Sequence, residues 1–418
     1  MSHGAMNYLN FSRLVAYGLL AFPLAFVALP IYVYVPQFYA EHFGISLSAI
    51  GSALLVSRIA DAFFDPLIGG LIDRRPAGVG YERYIIAAIP LLIGGFVALF
   101  HPMVDSGGAL FAWFFASLIV VYAGFSLASI AYQAWGAALT QSPGERLRIS
   151  AVRESCGLLG VLSAALMGQL ASFSWLSWLL ATSLLISAAC LLRWTPRIYR
   201  QLEQKNVALA WSEMFMNMQF RRLFTVFVLN GIAAAIPATL FLFFTKDRMH
   251  LGAQSGYLLL IYFLAAAVSM PFWIAFARKT HERDAWLLSM LTTIISFIWA
   301  YNLPADALVG FGLICVFTGF SLGADLALPP ALLAAVINHA GHSEKYEGSY
   351  FGAWSWAGKM NLALAAGLAL PLLDLLGYQP GGASPGGLQA LGYAYAILPC
   401  GLKCVAAWLL WRSPLRSL

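Results

Sequence analysis

Long apolar stretches recur from one end of this chain to the other, each about as long as a helix needs to cross the ~30 Å hydrocarbon core of a bilayer. Backbone inside lipid must satisfy its own hydrogen bonds, so stretches that span a membrane in this way have to be helical. Of the 418 residues 61% are hydrophobic and only 10% are charged, which is the balance of a membrane protein rather than of a soluble domain. The sequence therefore predicts an all-α polytopic membrane protein with twelve transmembrane helices. The predicted spans are 13–39, 46–72, 83–103, 108–139, 149–171, 174–194, 222–246, 254–277, 285–302, 307–338, 347–376 and 388–411.

The basic residues predict how these spans are oriented. Twelve crossings put both termini on one side, and 19 of the 24 lysines and arginines fall on that side. The opposite side holds only Lys246 and Arg248, and the spans themselves hold Arg58, Lys359 and Lys403. Cytoplasmic loops are the ones enriched in positive charge, so we expect both termini to be cytoplasmic, in a bacterial-type cytoplasmic (inner) membrane. Topology thus accounts for the net charge of +6 without a nucleic-acid partner.

One long polar connection divides the spans six and six. It predicts an N-terminal six-helix bundle over 1–194, a cytoplasmic linker over 195–221 and a C-terminal six-helix bundle over 222–418. In transporters of this build the substrate site lies near the bilayer midplane, where the two halves meet.

Three charges stand close together in the second span, in "SRIADAFFDPLIGGLIDRR". Arg58 and Asp61 are three residues apart, and Asp61 and Asp65 are four apart, so the three side chains line one face of a helix. A charge at the centre of a membrane helix costs about 2.5 to 3.5 kcal/mol, so such residues compensate one another or face water. Their formal sum is minus one, which suits a site for one proton or one monovalent cation. A plain ion-pair network joining helices is the alternative.

Other polar residues inside the spans are candidates for a substrate site. Asp325 lies in the tenth span between Gly323 and the pair Pro329-Pro330, and an acid beside an irregular stretch of membrane helix is a functional candidate. Its alternative role is as a partner for Lys359 or Lys403. Trp354 precedes Lys359 by five residues, and its ring can shape a pocket around a cation or simply pack.

At these residues the chain resembles a known family. The loop Gly69, Asp73-Arg74-Arg75 resembles the signature loop of major facilitator transporters, and "RIADAFFDPLIGGLIDRR" resembles the second helix of the glycoside, pentoside and hexuronide cation symporters. "AYQAWGAALTQSPGERLRISAVRE" and "EGSYFGAWSWAGKMNLALAAG" are similar to the junction of that family's fourth and fifth helices and to its eleventh helix. The resemblance covers nearly the whole chain and implies the major facilitator fold of two six-helix bundles.

The resemblance also implies roles for individual residues. It makes Asp61, Asp65, Ser126 and Lys359 the candidate cation-binding residues. Together with the candidates above, the substrate-binding set is Arg58, Gln133, Arg153, Asp325, Trp354 and Lys359.

Some positions depart from the family's pattern. Ala25 and Ser129 stand where the family has aspartates that bind sugar hydroxyls, and Gln133 stands where an aromatic residue occurs. Phe64 replaces an amide-bearing residue beside the second aspartate. Sodium needs several oxygen ligands whereas a proton needs one carboxylate, so the loss of a polar group favours coupling to protons over sodium.

We therefore expect a secondary active transporter, not an enzyme, that moves a small polar or amphipathic solute, a sugar or a sugar derivative, by alternating access. It should need no cofactor beyond a coupling ion, H⁺ or Na⁺, and should act as a monomer among membrane lipids. The alternatives are a lipid or lysolipid carrier, or an uncoupled facilitator, on the same fold. The sequence shows no metal-ligand spacing and no glycine-rich phosphate loop, which argues against a metalloenzyme and against ATP-driven transport.

Overall fold

The computed structural model describes residues 11–73, 80–104, 107–139, 143–170, 173–196, 214–342, 347–382 and 384–413. Within these ranges the chain forms twelve long helical stretches joined by short connections. The first six are α1 (Phe11–Phe43), α2 (Leu47–Asp73), α3 (Glu82–Phe100), α4 (Gly107–Ala138), α5 (Pro143–Leu170) and α6 (Phe173–Trp194). The others are α7 (Met218–Arg248), α8 (Gly252–Lys279), α9 (Glu282–Tyr301), α10 (Leu308–His339), α11 (Glu347–Leu375) and α12 (Pro385–Arg412).

Eleven of these stretches are long and apolar enough to cross a membrane, counted over the described residues. The exception is α5, although the sequence analysis places a span there. Its first half, "PGERLRISAVRE", carries several charged residues and lowers the mean hydropathy of the whole helix. The all-helical, polytopic fold class is confirmed, and α5 is the predicted span whose composition is least apolar.

The helices group into two compact units. One unit comprises Met1–Ile31 and Ala60–Leu202, and the other comprises Tyr32–Ile59 and Glu203–Leu418. The later change of unit falls inside the connection that the sequence analysis predicts as a linker, most of which lies outside the described residues. The end of α1 and the start of α2 group with the later half of the chain, a feature that the order of the spans does not reveal.

In the first unit, glycines allow neighbouring helices to approach closely. A Cβ on Gly124 of α4 would lie 2.8 Å from the backbone nitrogen of Leu92 in α3. A Cβ on Gly160 of α5 would likewise collide with the carbonyl of Phe22 in α1. Because lipid supplies no hydrophobic force between helices, close packing at small residues contributes much of their association.

In the second unit, glycines likewise allow α8 and α10 to approach closely. A Cβ on Gly319 or Gly323 of α10 would meet the backbone of α8, at the carbonyls of Tyr262 and Ala266 respectively. Next to this contact the indole nitrogen of Trp273 donates a 2.7 Å hydrogen bond to the carbonyl of Phe320. The buried aromatic core of this unit is therefore held by polar as well as van der Waals contacts.

Residues 32–59 contact the rest of the second unit at the start of α2. The Ser48 amide in the first turn donates to Asp374 Oδ2 at 3.2 Å, which places a carboxylate at the positive end of the helix. Further along, a Cβ on Gly51 would lie 2.8 Å from the carbonyl of Ala366 in α11. The two helices therefore run in backbone contact over this stretch.

A second tie joins the end of α1 to the end of α7. Lys246 Nζ forms an ion pair of 2.5 Å with Glu41 Oε2, and Glu41 also accepts from Gln37. The next residue of α7, Asp247, accepts hydrogen bonds from the Tyr378 hydroxyl and from the Gly381 amide. Burial and the neighbouring carboxylate raise the pKa of Tyr378, so its phenol remains a donor across the physiological range.

Candidate functional site

The charged stripe of α2 faces the interior of the protein. Arg58 and Asp61 are 4% and 3% exposed, and Asp65 is half-buried one turn further on. Phe63, on the opposite face of the helix, is 74% exposed. Helical periodicity alone predicts this division, because residues three and four apart share a face.

In the first unit, Asp61 is held by a serine of α4. Ser126 is fully buried, and its hydroxyl donates a hydrogen bond of 2.5 Å to Asp61 Oδ1. A short bond from a hydroxyl to a carboxylate oxygen is a strong, charge-assisted one. The two residues that the family resemblance assigns to the cation site are therefore in direct contact. The arrangement offers at least two oxygens, one of them anionic, to a proton or a small cation.

In the second unit, Arg58 lies over the ring of Tyr32. The guanidinium carbon is 5.0 Å from the ring centroid, which is a cation–π distance. Tyr32 belongs to a π-helical turn, Pro30–Tyr34, that interrupts α1. Such turns are frequent at functional sites because they redirect side chains. Tyr32 cannot be identified from the sequence, since only the local winding of α1 brings its ring to Arg58.

The remaining candidates of the first unit lie on α4 and α5. Arg153 bonds the neighbouring Glu154 through Nε at 3.1 Å and Nη2 at 2.7 Å, and its side chain is 30% exposed. The Gln133 side chain is exposed. Ser129, at a position where the family has an aspartate, donates to the Ser126 carbonyl at 3.3 Å. These residues leave polar groups accessible on α4 and α5, although the carboxylates of the family pattern are missing.

Just beside Gln133, α1 and α4 are clamped together. The Tyr17 hydroxyl donates to the Tyr132 carbonyl at 3.0 Å, and the Tyr132 hydroxyl donates to the Tyr17 carbonyl at 2.8 Å. The two rings stack with centroids 4.5 Å apart. This reciprocal pair fixes the part of α4 that carries the candidate residues.

Asp325 is surrounded by donors from its own unit. Lys403 Nζ of α12 lies 3.0 Å from Oδ2, and Oδ1 accepts from Asn230 of α7 at 3.0 Å and from the Trp286 indole of α9 at 2.7 Å. The side chains of Asp325 and Lys403 are only 12% and 6% exposed. Of the two partners that the sequence analysis leaves open, the structure shows Lys403. A carboxylate with three protein donors on α7, α9 and α12 favours a role in joining these helices over a role as a substrate ligand.

A cavity of about 110 Å³ adjoins this network. Asp325 and Lys403 line it, and its other walls are mostly apolar, with Phe241, Tyr262 and Tyr395 among them. The pair is therefore buried from bulk solvent but borders space into which its side chains can relax.

On α11, the structure separates the roles of Trp354 and Lys359. Trp354 is buried and stacks on Phe227 of α7, with ring centroids 3.7 Å apart, so its ring packs between helices. Lys359 is half-buried. Two residues later, Asn361 is 96% buried against Gly231, and its Oδ1 accepts no hydrogen bond from the described residues. Asn361 was not identified from the sequence. The sequence signal for Asn361 is its position, a polar residue in an apolar span two positions after Lys359.

The signature loop after α2 can be described only in part. Gly69 and the backbone of Asp73 belong to the end of the helix, whereas Arg74 and Arg75 lie outside the described residues.

Comparisons with known proteins agree on one family and one fold. Residues 14–417 match the family described as MFS/sugar transport protein. The chain is 23% identical to the isoprimeverose transporter of Lactiplantibacillus pentosus, over 96% of this chain and 88% of that one. It is 22% identical to the glucuronide carrier protein homolog of Escherichia coli K12, over 91% and 87% of the two chains. The crystal structure of the nucleoside transporter NupG superposes with a TM-score of 0.72 at 14% identity, covering 96% of this chain and 97% of that one.

Proposed function

Because the chain belongs to the MFS/sugar transport family, within the glycoside, pentoside and hexuronide cation symporters of the major facilitator superfamily, we propose that it couples the uptake of a sugar-derived solute to the entry of one cation. The observation that carries the proposal is the buried contact between Asp61 and Ser126, one turn from Asp65 on the same face of α2. This placement keeps an acidic site inside a membrane helix, where it is costly unless it is used or compensated.

The coupling ion is a proton in this proposal. The Ser126 hydroxyl already donates to Asp61, so the pair is arranged as an acid and its hydrogen-bonding neighbour, and a single carboxylate oxygen is enough to take up a proton. Phe64 adds no oxygen ligand, and its side chain is 50% exposed. A sodium site would require additional oxygens at the same place.

Coupling follows from the cost of moving an uncompensated charge through a closed, water-poor state. With its cation bound, the acidic site is neutral and the loaded protein can change conformation. With the cation absent, the site needs another positive charge, and Lys359 of α11 is the residue that we assign to this role. Solute and cation then cross together, while the empty protein returns with its own lysine in place of the ion.

We infer the solute class from the names of the relatives and from two of the cationic candidate residues. The relatives are named for isoprimeverose and for glucuronides, a sugar and a class of sugar acids. Arg58, held over the Tyr32 ring, and Arg153, partly exposed on α5, suit the hydroxyl or carboxylate oxygens of such molecules. The missing carboxylates at Ala25 and Ser129 favour a sugar acid over a neutral sugar, because a negative solute needs cations rather than anions around it.

Alternating access also requires that contacts closing one side of the membrane open in the other state. Two contacts within the second unit, Glu41 with Lys246 and Ser48 with Asp374, are the ones that we assign to this step. They lie at the ends of α1 and α7 and at the start of α2, on the side predicted to be extracytoplasmic.

The test is solute uptake by the purified protein in liposomes. A panel of isoprimeverose, other disaccharides, glucuronides and lysolipids is offered under an inward proton gradient, under an inward sodium gradient and with no gradient. We expect accumulation of a sugar or sugar acid under the proton gradient, with a matching rise in external pH. Accumulation under sodium at constant pH would replace the proton by sodium, equal flux without any gradient would indicate a facilitator, and selective transport of lysolipids would indicate a lipid carrier.

A further inference from the structure

A basic pocket lies where α7 begins and α12 ends, and the transport site described above makes no use of it. Its walls include Arg221, Arg222 and Thr225 of α7, and Trp408, Leu409 and Arg412 of α12, and it encloses about 560 Å³. We call it the arginine pocket. It opens at the end of the helices predicted to be cytoplasmic, within the second unit.

The three arginines place positive charge along the walls of this pocket. In the part of the chain that the structure describes, no carboxylate lies within ion-pair distance of any of them. Arg283, a nearby arginine at the start of α9, contrasts with them: it lies 3.3 Å from Asp284 and donates to the carbonyl of Ser413 at the edge of the pocket. Among the described residues, the arginine beside the pocket thus has an acidic partner, whereas the three that line it have none.

Guanidinium groups that converge on a concave surface match the geometry of a phosphate, which they can bind through two parallel hydrogen bonds. The first backbone amides of α7 do not provide a competing site, because the Asn217 side chain accepts hydrogen bonds from Gln219 and Phe220. An anion in the pocket would therefore be bound by the side chains of the three arginines.

The pocket is apolar as well as basic. The Trp408 ring is 48% exposed, and Arg412 lies over it at 4.5 Å, which leaves the guanidinium edge available for hydrogen bonds. Towards the membrane centre α12 continues with Val405, also 48% exposed, so an apolar surface runs down from the charged end. A ligand that fits both parts has an anionic head and an apolar tail.

We propose that the arginine pocket binds the phosphate of an anionic phospholipid from the leaflet at this end of the helices. Basic pockets between membrane helices recognise such headgroups, and tryptophan is favoured at the depth where headgroup and acyl chain meet. A single lipid bridging α7 and α12 stabilises the folded protein, because it binds the native helix pair and not the unfolded chain.

The experiment measures the thermal unfolding of the purified full-length protein in neutral detergent, with phosphatidylglycerol, phosphatidylcholine or inorganic phosphate added. The test variant is Arg221→Gln/Arg222→Gln/Arg412→Gln. The matched control, Arg193→Gln/Arg278→Gln/Lys279→Gln, also loses three positive charges at exposed helix ends. Phosphatidylglycerol should raise the melting temperature of the wild type and the control but not of the test variant, whose affinity should fall about 100-fold if each arginine contributes about fivefold.

A second pair of variants keeps all three arginines. Thr225→Glu places a carboxylate one turn from Arg221 and should abolish the shift caused by phosphatidylglycerol, while Thr225→Gln should retain it. The proposal is overturned if the triple variant or Thr225→Glu responds to phosphatidylglycerol as the wild type does. It is also overturned if inorganic phosphate alone gives the same shift, because the site would then bind a soluble anion, or if phosphatidylcholine does so, because charge would then be irrelevant.

Discussion

Removing the carboxylate of Asp325 tests whether the buried network around it joins helices or serves transport. We consider Asp325→Asn, Lys403→Met and the double variant. In the wild type the two charges are 3.0 Å apart, and their side chains are 12% and 6% exposed. In Asp325→Asn the ammonium keeps its charge but loses its counter-ion, and in Lys403→Met the carboxylate keeps only its two neutral donors, Asn230 and Trp286.

The expected magnitude follows from this burial. Breaking a buried ion pair by removing one partner costs about 3 to 5 kcal/mol, whereas removing both charges together is often close to neutral. We expect about 3 kcal/mol for each single variant, because the adjoining cavity gives the remaining charge room to relax. The double variant should then be no less stable than the worse single variant, although independent effects would sum to about 6 kcal/mol.

The assay is thermal unfolding of each purified variant, followed by solute uptake in liposomes. If the pair joins helices, the double variant recovers both stability and transport relative to Asp325→Asn. Additive losses of stability would refute the ion-pair reasoning. If Asp325→Asn is as stable as the wild type but transport is lost in every variant that lacks the carboxylate, Asp325 is instead a substrate ligand.

Three further predictions concern the surroundings of the site. Glu41→Lys alone should slow transport, because it places two positive charges side by side. Exchanging the charges, in Glu41→Lys/Lys246→Glu, should restore most of the transport rate. If the exchanged variant takes up solute no faster than the single variant, the ion pair has no role in transport. Tyr32→Leu removes the ring beneath Arg58 and should weaken solute affinity by about 1 kcal/mol, or about fivefold in KM. Tyr32→Phe keeps the ring and should leave KM nearly unchanged. A large increase of KM in Tyr32→Phe would assign the effect to the hydroxyl instead. Gly319→Leu should lower the melting temperature by an amount corresponding to about 1 to 3 kcal/mol, because its side chain would collide with the backbone of α8. An unchanged melting temperature would mean that α8 and α10 can separate without cost.

Much of the fold could be predicted from the sequence because lipid imposes few solutions on the backbone. Apolar length predicts the helices, and the bounds of α2, Leu47–Asp73, fall within one residue of the predicted span. The fifth span is the instructive case. Charged residues in the first half of α5 lower its mean hydropathy, but the length of its apolar second half and the spans on either side still predict a membrane helix.

The candidate site divides into what periodicity predicts and what only tertiary structure determines. Spacing alone places Arg58, Asp61 and Asp65 on one buried face. The partner of Asp61 came from the family resemblance, because nothing in the local sequence links position 61 to Ser126. The ring of Tyr32 could be found neither way, since it depends on a π-helical turn that no residue pattern in α1 specifies.

The identity of the lysine that pairs with Asp325 is a second feature that the sequence does not determine. The sequence leaves Lys359 and Lys403 as equal partners for Asp325, because both are single lysines in apolar spans. Only the tertiary structure, in which Lys403 Nζ of α12 lies 3.0 Å from Asp325 Oδ2, decides for Lys403. In the same way, the order of the spans gives two sets of six but does not show that residues 32–59 group with the later half of the chain.

The central claim is that the acidic site on α2 couples cation entry to solute movement, and Asp61→Asn tests it most directly. The amide oxygen can still accept the Ser126 hydrogen bond, so the variant should fold, but it can neither take up a proton nor carry the negative charge. In liposomes we predict that labelled solute still exchanges across the membrane when unlabelled solute is present on both sides, while accumulation against a concentration gradient is lost. Accumulation at the wild-type level under the same proton gradient would contradict the account.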